Sequence, residues 1–84
     1  MAGVAKIAHE HGANLVVDNV FATPLLQNAF ELGADCVVYS TTKHVDGQGR
    51  CLGGVILASN EFIQTHVHNF LRQTGPALSP FNAW

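Results

Sequence analysis

Asp18 closes a short apolar run, Asn14-Leu15-Val16-Val17-Asp18. Ser40-Thr41-Thr42-Lys43 follows a second run, Cys36-Val37-Val38-Tyr39. A carboxylate, a set of hydroxyls and a primary amine thus stand after two predicted strands. In open α/β sheets, ligands bind outside the carboxyl ends of the strands, so these groups can meet at one site. Together they supply what pyridoxal phosphate requires: an amine for a Schiff base, a carboxylate for the pyridinium proton and hydroxyls for the phosphate. On spacing alone each group also has a plainer reading. A strand-end Asp is more often a turn residue, and a Lys after two Thr is more often a solvated charge.

The chemistry constrains the residue types. A carboxylate beside a ring nitrogen favours the protonated, charged ring, which Asn would not do. An amine at position 43 can be a nucleophile and, once released, can move protons at a substrate carbon. Arg, always protonated, can do neither. Ser40 and Thr42 lie two apart, so their side chains share a face if the strand conformation continues through them.

The elements that must hold these groups alternate along the chain. Val4, Ile7 and Ala8 recur at helical spacing and Gly12 acts as a stop, which predicts a helix near residues 2–11. The run ending at Asp18 reads as a buried strand, since parallel strands covered on both faces lose alternation. Pro24 can start a helical turn; the stretch to Leu32 reads as helical or mixed, with Gly33 ending it. Residues 36–39 form the second strand. Ser40 to Gly54 is a loop carrying Gly47, Gly49, Gly53 and Gly54, and Val55 to Ala58 is the third strand. Ser59 or Asn60 caps a helix over about 60–72, with Glu61 favourable in its first turn. Ser79-Pro80-Phe81 reads as the cap and first turn of another helix. The pattern is that of α/β architecture, with no boundary inside residues 1–84.

Composition sets limits on the function class. Hydrophobic residues make up 48% of the 84-residue chain and charged residues 12%, against about 25% charged in an ordinary globular domain. A disordered tail is excluded, and the polar surface is too small to cover a free-standing domain of this length. An interior piece of a larger α/β protein is the expectation. The net charge of −2 leaves no basic stripe for nucleic acid. No apolar run is long enough to span a membrane. The first ten residues lack the apolar segment of a secretory signal, so a cytoplasmic location is expected. Cys36 and Cys51 do not make a disulfide framework; Cys36 reads as a small core residue.

His9 and His11, and His66 and His68, are each two apart. Such pairs do not share a helix face, so solvated surface is preferred to a metal site. Gly47-Gln48-Gly49 is not a dinucleotide fingerprint, because the third Gly is misplaced and no helix follows. Tyr39 reads as core or as a neighbour of the site.

Three stretches together are more specific than any single residue: Val16-Val17-Asp18-Asn19-Val20-Phe21-Ala22-Thr23-Pro24, Glu31-Leu32-Gly33-Ala34-Asp35 and Tyr39-Ser40-Thr41-Thr42-Lys43-His44. They closely resemble the Cys/Met-metabolism, or transsulfuration, family of pyridoxal-phosphate enzymes, over nearly the whole chain. The resemblance implies part of the large cofactor-binding domain of a fold-type-I, aspartate-aminotransferase-like enzyme. It implies that Lys43 is the Schiff-base lysine, that Asp18 partners the pyridine nitrogen, and that Ser40 and Thr42 bind phosphate. It implies an amino-acid substrate and a complete enzyme that is a homotetramer. Val45-Asp46-Gly47-Gln48-Gly49-Arg50 looks most like the O-succinylhomoserine sulfhydrylase branch, which makes homocysteine by γ-replacement. Cystathionine γ-synthase, a γ-lyase and a truncated non-catalytic product are the alternatives. Val20 departs from the family, where many relatives carry Thr. The family's upstream and neighbouring-subunit phosphate contacts and its downstream substrate-binding Arg have no counterpart in these residues, so a fragment is expected.

Overall fold

The computed structural model describes residues 1–84. The chain runs α1 (Ala2–Glu10), β1 (Val16–Asp18), a single turn α2 (Thr23–Leu26), β2 (Cys36–Ser40), a π-helical turn (Thr41–Val45) and β3 (Gly54–Ala58). A continuous helical run follows, α3 (Asn60–Phe62), a π-helical turn (Ile63–Val67) and α4 (His68–Thr74), and then the short α5 (Pro80–Ala83). Ser59 and Ser79 cap the last two helical stretches, each hydroxyl accepting from a backbone N–H three residues on, Phe62 at 3.1 Å and Asn82 at 3.2 Å. Gly75, left-handed at φ 80°, closes α4.

The sheet has three strands in the order β1-β2-β3. β1 pairs with β2 in parallel, Val16 opposite Cys36 and Asp18 opposite Val38. β2 pairs with β3 antiparallel, Cys36 opposite Ala58 and Ser40 opposite Gly54. The mixed pattern follows from the connections. The β1–β2 connection is long enough to return the chain for a parallel partner, whereas the glycine loop after β2 carries no crossover helix and simply reverses direction.

The centre of the sheet is the best-covered part. Val37 is fully buried and forms a small core with Ala29 and Ala34, with Val17 and Tyr39 packed against it. The expectation that β1 is buried on both faces is corrected: Val16 is 55% exposed, because the face that Val16 and Asp18 share carries no covering layer in these residues, while Val17 on the other face is half-buried. The α1 face differs as well. Ala5 is the buried residue of the helix, while Val4 and Ile7 are exposed. The helix approaches the chain at Gly33, where a Cβ would come within 2.7 Å of the Ala5 Cβ. Gly33 is also left-handed at φ 95°, so both geometry and space require glycine.

Asp35 ties these pieces together just before β2. Its Oδ2 accepts from the Leu15 N–H at 2.7 Å and pairs with His9 Nε2 at 2.8 Å. The Leu15 N–H first, and His9 second, hold the Asp35 carboxyl below the usual carboxylate range. His9, expected to be solvated, is thus partnered.

Only six of the 84 residues are buried. The exposed area is 6265 Å², where a compact monomer of this mass would show about 4,900 Å². The radius of gyration is 14.2 Å, against about 12 Å for a compact chain of this length. The extents, 42 × 31 × 15 Å, describe a slab about as thick as one sheet with partial cover. No helix is long and apolar enough to cross a membrane.

Candidate functional site

The parallel pair β1–β2 sets the position of the site. Asp18 ends β1 opposite Val38, and Ser40 ends β2 two residues further on. Both chains therefore deliver their chemistry at the same, carboxyl edge of the sheet. A cleft of about 400 Å³ opens at this edge, lined on one side by Val20, Phe21 and Pro24 and on the other by Ser40 and His44; Asp18 and Lys43 lie next to lining residues but do not line it themselves. The Phe21 and His44 rings meet edge to face across it, with centroids 6.4 Å apart.

The Asp18 carboxylate is held from behind. Its Oδ1 accepts from the Val20 N–H at 3.1 Å, an Asx turn over the strand end. This is the only hydrogen bond to the Asp18 side chain, and Oδ2 is left for another donor. No ion pair joins Asp18 to Lys43; the basic side chains within reach of the chain's carboxylates are Lys6, His9 and Arg50.

Asn19, next in the chain, is 2% exposed and is the only buried polar residue. Its backbone N–H donates to Val38 O at 3.1 Å, extending the β1–β2 ladder by one bond. Its side-chain Oδ1 accepts from Gln27 Nε2 at 2.7 Å. Its Nδ2 donates to Gln27 O and to the Tyr39 hydroxyl, both at 2.9 Å, with Thr23 O further off at 3.3 Å. Backbone carbonyls only accept, so the amide orientation is fixed by this network. The same contacts clamp Thr23, a β-branched residue in the left-handed region at φ 61°. Such a conformation costs on the order of 1–3 kcal/mol and persists where the surroundings over-determine it. Here Thr23 N donates to Asn19 O at 3.0 Å, and Thr23 O accepts from Gln27 N at 3.2 Å. Pro24 starts the helical turn, as expected, but that turn ends at Leu26.

Lys43 is exposed and sits within the π-helical turn Thr41–Val45, its own backbone departing from helical values at φ −89°, ψ −114°. The turn is fastened to the start of β3. Gly53 O accepts from Thr41 N at 2.9 Å and from Thr42 N at 3.4 Å. The Thr42 hydroxyl accepts from Gly53 N at 3.0 Å and donates to Gly53 O at 3.3 Å. Because β2 stops at Ser40, the strand does not continue through Thr42, and the condition for Ser40 and Thr42 to share a strand face is not met. The backbone N–H groups of Thr41 and Thr42 both turn toward Gly53 instead. Thr41 Oγ1 is buried against this glycine and is the one buried side-chain polar atom without a partner. Beyond the turn, Asp46 accepts from Arg50 N at 2.7 Å and Arg50 Nε at 3.2 Å, closing the loop on itself. Those contacts, the Arg50 N–H first, hold the Asp46 carboxyl below its ordinary range.

The structure thus brings Asp18, Ser40 and Lys43 to one edge of the sheet and leaves Thr42 engaged with Gly53. Sequence reasoning did not single out Asn19, Gln27 or Asp35, since an amide beside a strand-end Asp carries no periodic signal of its burial. The donor set is chemically right for pyridoxal phosphate: a carboxylate with an oxygen unclaimed, hydroxyls, and an exposed primary amine on a neighbouring turn. The Thr42 proton is directed to its carbonyl at 3.3 Å, long for an O–H···O bond, and a phosphate oxygen is a stronger acceptor.

The chain is similar to known proteins along its whole length. The O-succinylhomoserine sulfhydrylase of Mycobacterium tuberculosis (strain ATCC 25618 / H37Rv) is 61% identical over 84 residues, 100% of this chain and 21% of that protein. The L-methionine gamma-lyase of Pseudomonas putida is 45% identical over 99% of this chain and 21% of its own length. Among solved structures, apo CalE6, a methionine gamma lyase from Micromonospora echinospora, superposes with a TM-score of 0.91 at 38% identity, covering 96% of this chain and 22% of that one. The chain therefore spans about a fifth of the length of the curated relatives it matches. These neighbours carry the expected fold-type-I architecture, and the mixed sheet and flanking helices are a portion of it. With the family model for Cys/Met metabolism PLP-dependent enzyme matching residues 1–84 throughout, the chain belongs to that pyridoxal-phosphate-dependent family.

Proposed function

We propose that this chain is the cofactor-binding portion of an O-succinylhomoserine sulfhydrylase, which exchanges succinate for sulfide at Cγ to give homocysteine. The observation that carries the reading is the delivery of Asp18 and the Ser40–Lys43 segment to one sheet edge by the parallel pairing of β1 and β2. The 61% identity to an O-succinylhomoserine sulfhydrylase over the whole chain supports the choice within the family.

Pyridoxal phosphate, when bound, supplies an electron sink that stabilises negative charge on a substrate carbon. In this reading Lys43 holds it covalently through Nζ and, once released, carries protons to and from the substrate carbon. Asp18, through the oxygen that Val20 leaves unclaimed, accepts the ring N–H and keeps that nitrogen protonated. The hydroxyls of Ser40 and Thr42 bind the phosphate, Thr42 by turning its proton from Gly53 O. Phe21 and Pro24 form an apolar wall of the adjoining cleft. The whole enzyme is a homotetramer in the cytoplasm in this reading, with the remaining phosphate and substrate contacts supplied by other segments.

The test is direct. The holoenzyme carrying this segment, loaded with cofactor, is assayed for homocysteine and succinate from O-succinylhomoserine and sulfide. Stoichiometric release of both supports the proposal. Cystathionine formed in preference when cysteine is offered, or 2-oxobutyrate and ammonia in place of homocysteine, would assign the segment to a cystathionine γ-synthase or a γ-lyase.

A further inference from the structure

We infer that Asn19, acting with Gln27 and Tyr39, is a positioning residue for Asp18: it fixes the carboxylate that faces the cofactor ring nitrogen. The inference rests on the role proposed for Asp18. A buried polar residue must have its hydrogen bonds satisfied, and Asn19 has all of its amide hydrogens and its oxygen engaged. The network reaches the cleft at Thr23 and Tyr39, but Asn19 and Gln27 themselves do not line it, so ligand contact does not explain their bonding to each other. It ties the end of β1 to Tyr39 on β2 and to the turn at residues 23–27. Asp18 and Val20 flank the anchored residue, and the only hydrogen bond to the Asp18 carboxylate comes from the Val20 N–H. The direction of that N–H is set by the backbone of residues 19 and 20, which the Asn19 side chain pins. The left-handed Thr23 shows that the network holds the segment against a local preference. Loss of the anchor lets the Asx turn relax and swings the carboxylate away from the position the ring nitrogen requires. A misplacement of about 1 Å can cost 10²-fold in rate.

The experiment uses the cofactor-loaded holoenzyme carrying this segment, with Asp18→Asn, Asn19→Ser and Gln27→Met variants. Gln27→Met removes one partner of Asn19 and preserves the bulk, so a usable protein remains if Asn19→Ser does not fold. The ring-nitrogen ¹⁵N resonance of bound, labelled cofactor reports its protonation. Amide exchange of the peptide spanning 17–27 in the cofactor-free protein reports the turn itself. We expect Asn19→Ser and Gln27→Met to move the resonance in the same direction as Asp18→Asn but less far, to speed exchange of that peptide, and to lower kcat about 10- to 100-fold with little change in KM. If Asp18→Asn moves the resonance while the folded Asn19 and Gln27 variants leave both readouts as in the parent, the positioning role is overturned and the role of Asp18 stands. If Asp18→Asn leaves the resonance unmoved, the role of Asp18 fails and the inference with it.

Discussion

Gly53 is the residue on which the Lys43 turn is hung, and Gly53→Ala tests that suspension. A Cβ at this position would lie 2.5 Å from Thr41 Oγ1 and 3.0 Å from Leu78 Cδ1. Leu78 can shift its methyl, but Thr41 is β-branched and stiff at χ1, so its oxygen cannot simply rotate aside. Restoring an ordinary contact of about 3.5 Å requires the two residues to separate by roughly 1 Å. That displacement falls on the backbone bonds from Thr41 N and Thr42 N to Gly53 O, and so on the turn that carries Lys43. Overpacking of this kind costs about 1–3 kcal/mol of stability, and with the role proposed for Lys43, displacement of its amine by about 1 Å lowers kcat on the order of 10²-fold. The assay is homocysteine formation by the holoenzyme carrying the segment, with a thermal melt on the same samples. Thr41→Ala in the Gly53→Ala background removes the obstructing oxygen, which has no hydrogen bond to lose, and should restore most of the rate. Thr41→Val keeps the bulk and should not. A Gly53→Ala enzyme with parental kcat, or a defect that Thr41→Ala leaves unchanged, would refute the suspension of Lys43 from Gly53.

Asp35→Ala should lower stability by about 1–3 kcal/mol, because it strips the acceptor from the Leu15 N–H and from His9. Since the folded carboxyl titrates below its ordinary value of about 3.9, its contribution is complete above that pH and is lost as pH falls through the lower folded value; the difference in melting temperature between parent and variant should shrink only in acid. Residues 1–84 expressed alone should give no homocysteine and no cooperative melt, and should bind a hydrophobic dye, given residues such as Leu25 at 92% exposure; ordinary turnover with a sharp melt would show that the slab stands by itself.

The elements were legible where local chemistry dictates them. Ser59 and Ser79 cap as their types predict, and the strand ends at Asp18 and Ser40 lie where the apolar runs stop. What the sequence did not reveal depends on contacts distant along the chain. The apolar spacing of Val4 and Ile7 identifies a helix, but the face that packs is chosen by the close approach of Ala5 to Gly33. The alternation of Ser40 and Thr42 reads as one strand face, until Gly53 draws the backbone of Thr41 and Thr42 into a turn. In the candidate site, Asp18 and Lys43 stand out in the sequence because the chemistry proposed for them admits few substitutes, and the structure sets both after strand ends at one sheet edge. Asn19 does not stand out, because its importance lies in burial among Thr23, Gln27 and Tyr39, which no spacing rule anticipates.

The central claim is that Lys43 carries the cofactor. Borohydride reduction of the cofactor-loaded holoenzyme fixes that linkage, and peptide mapping locates it. The account predicts the pyridoxyl label on Lys43, in the peptide containing Ser40-Thr41-Thr42-Lys43-His44, and no visible cofactor absorbance in Lys43→Ala. A label on Lys6, or on a lysine outside these residues, would contradict it.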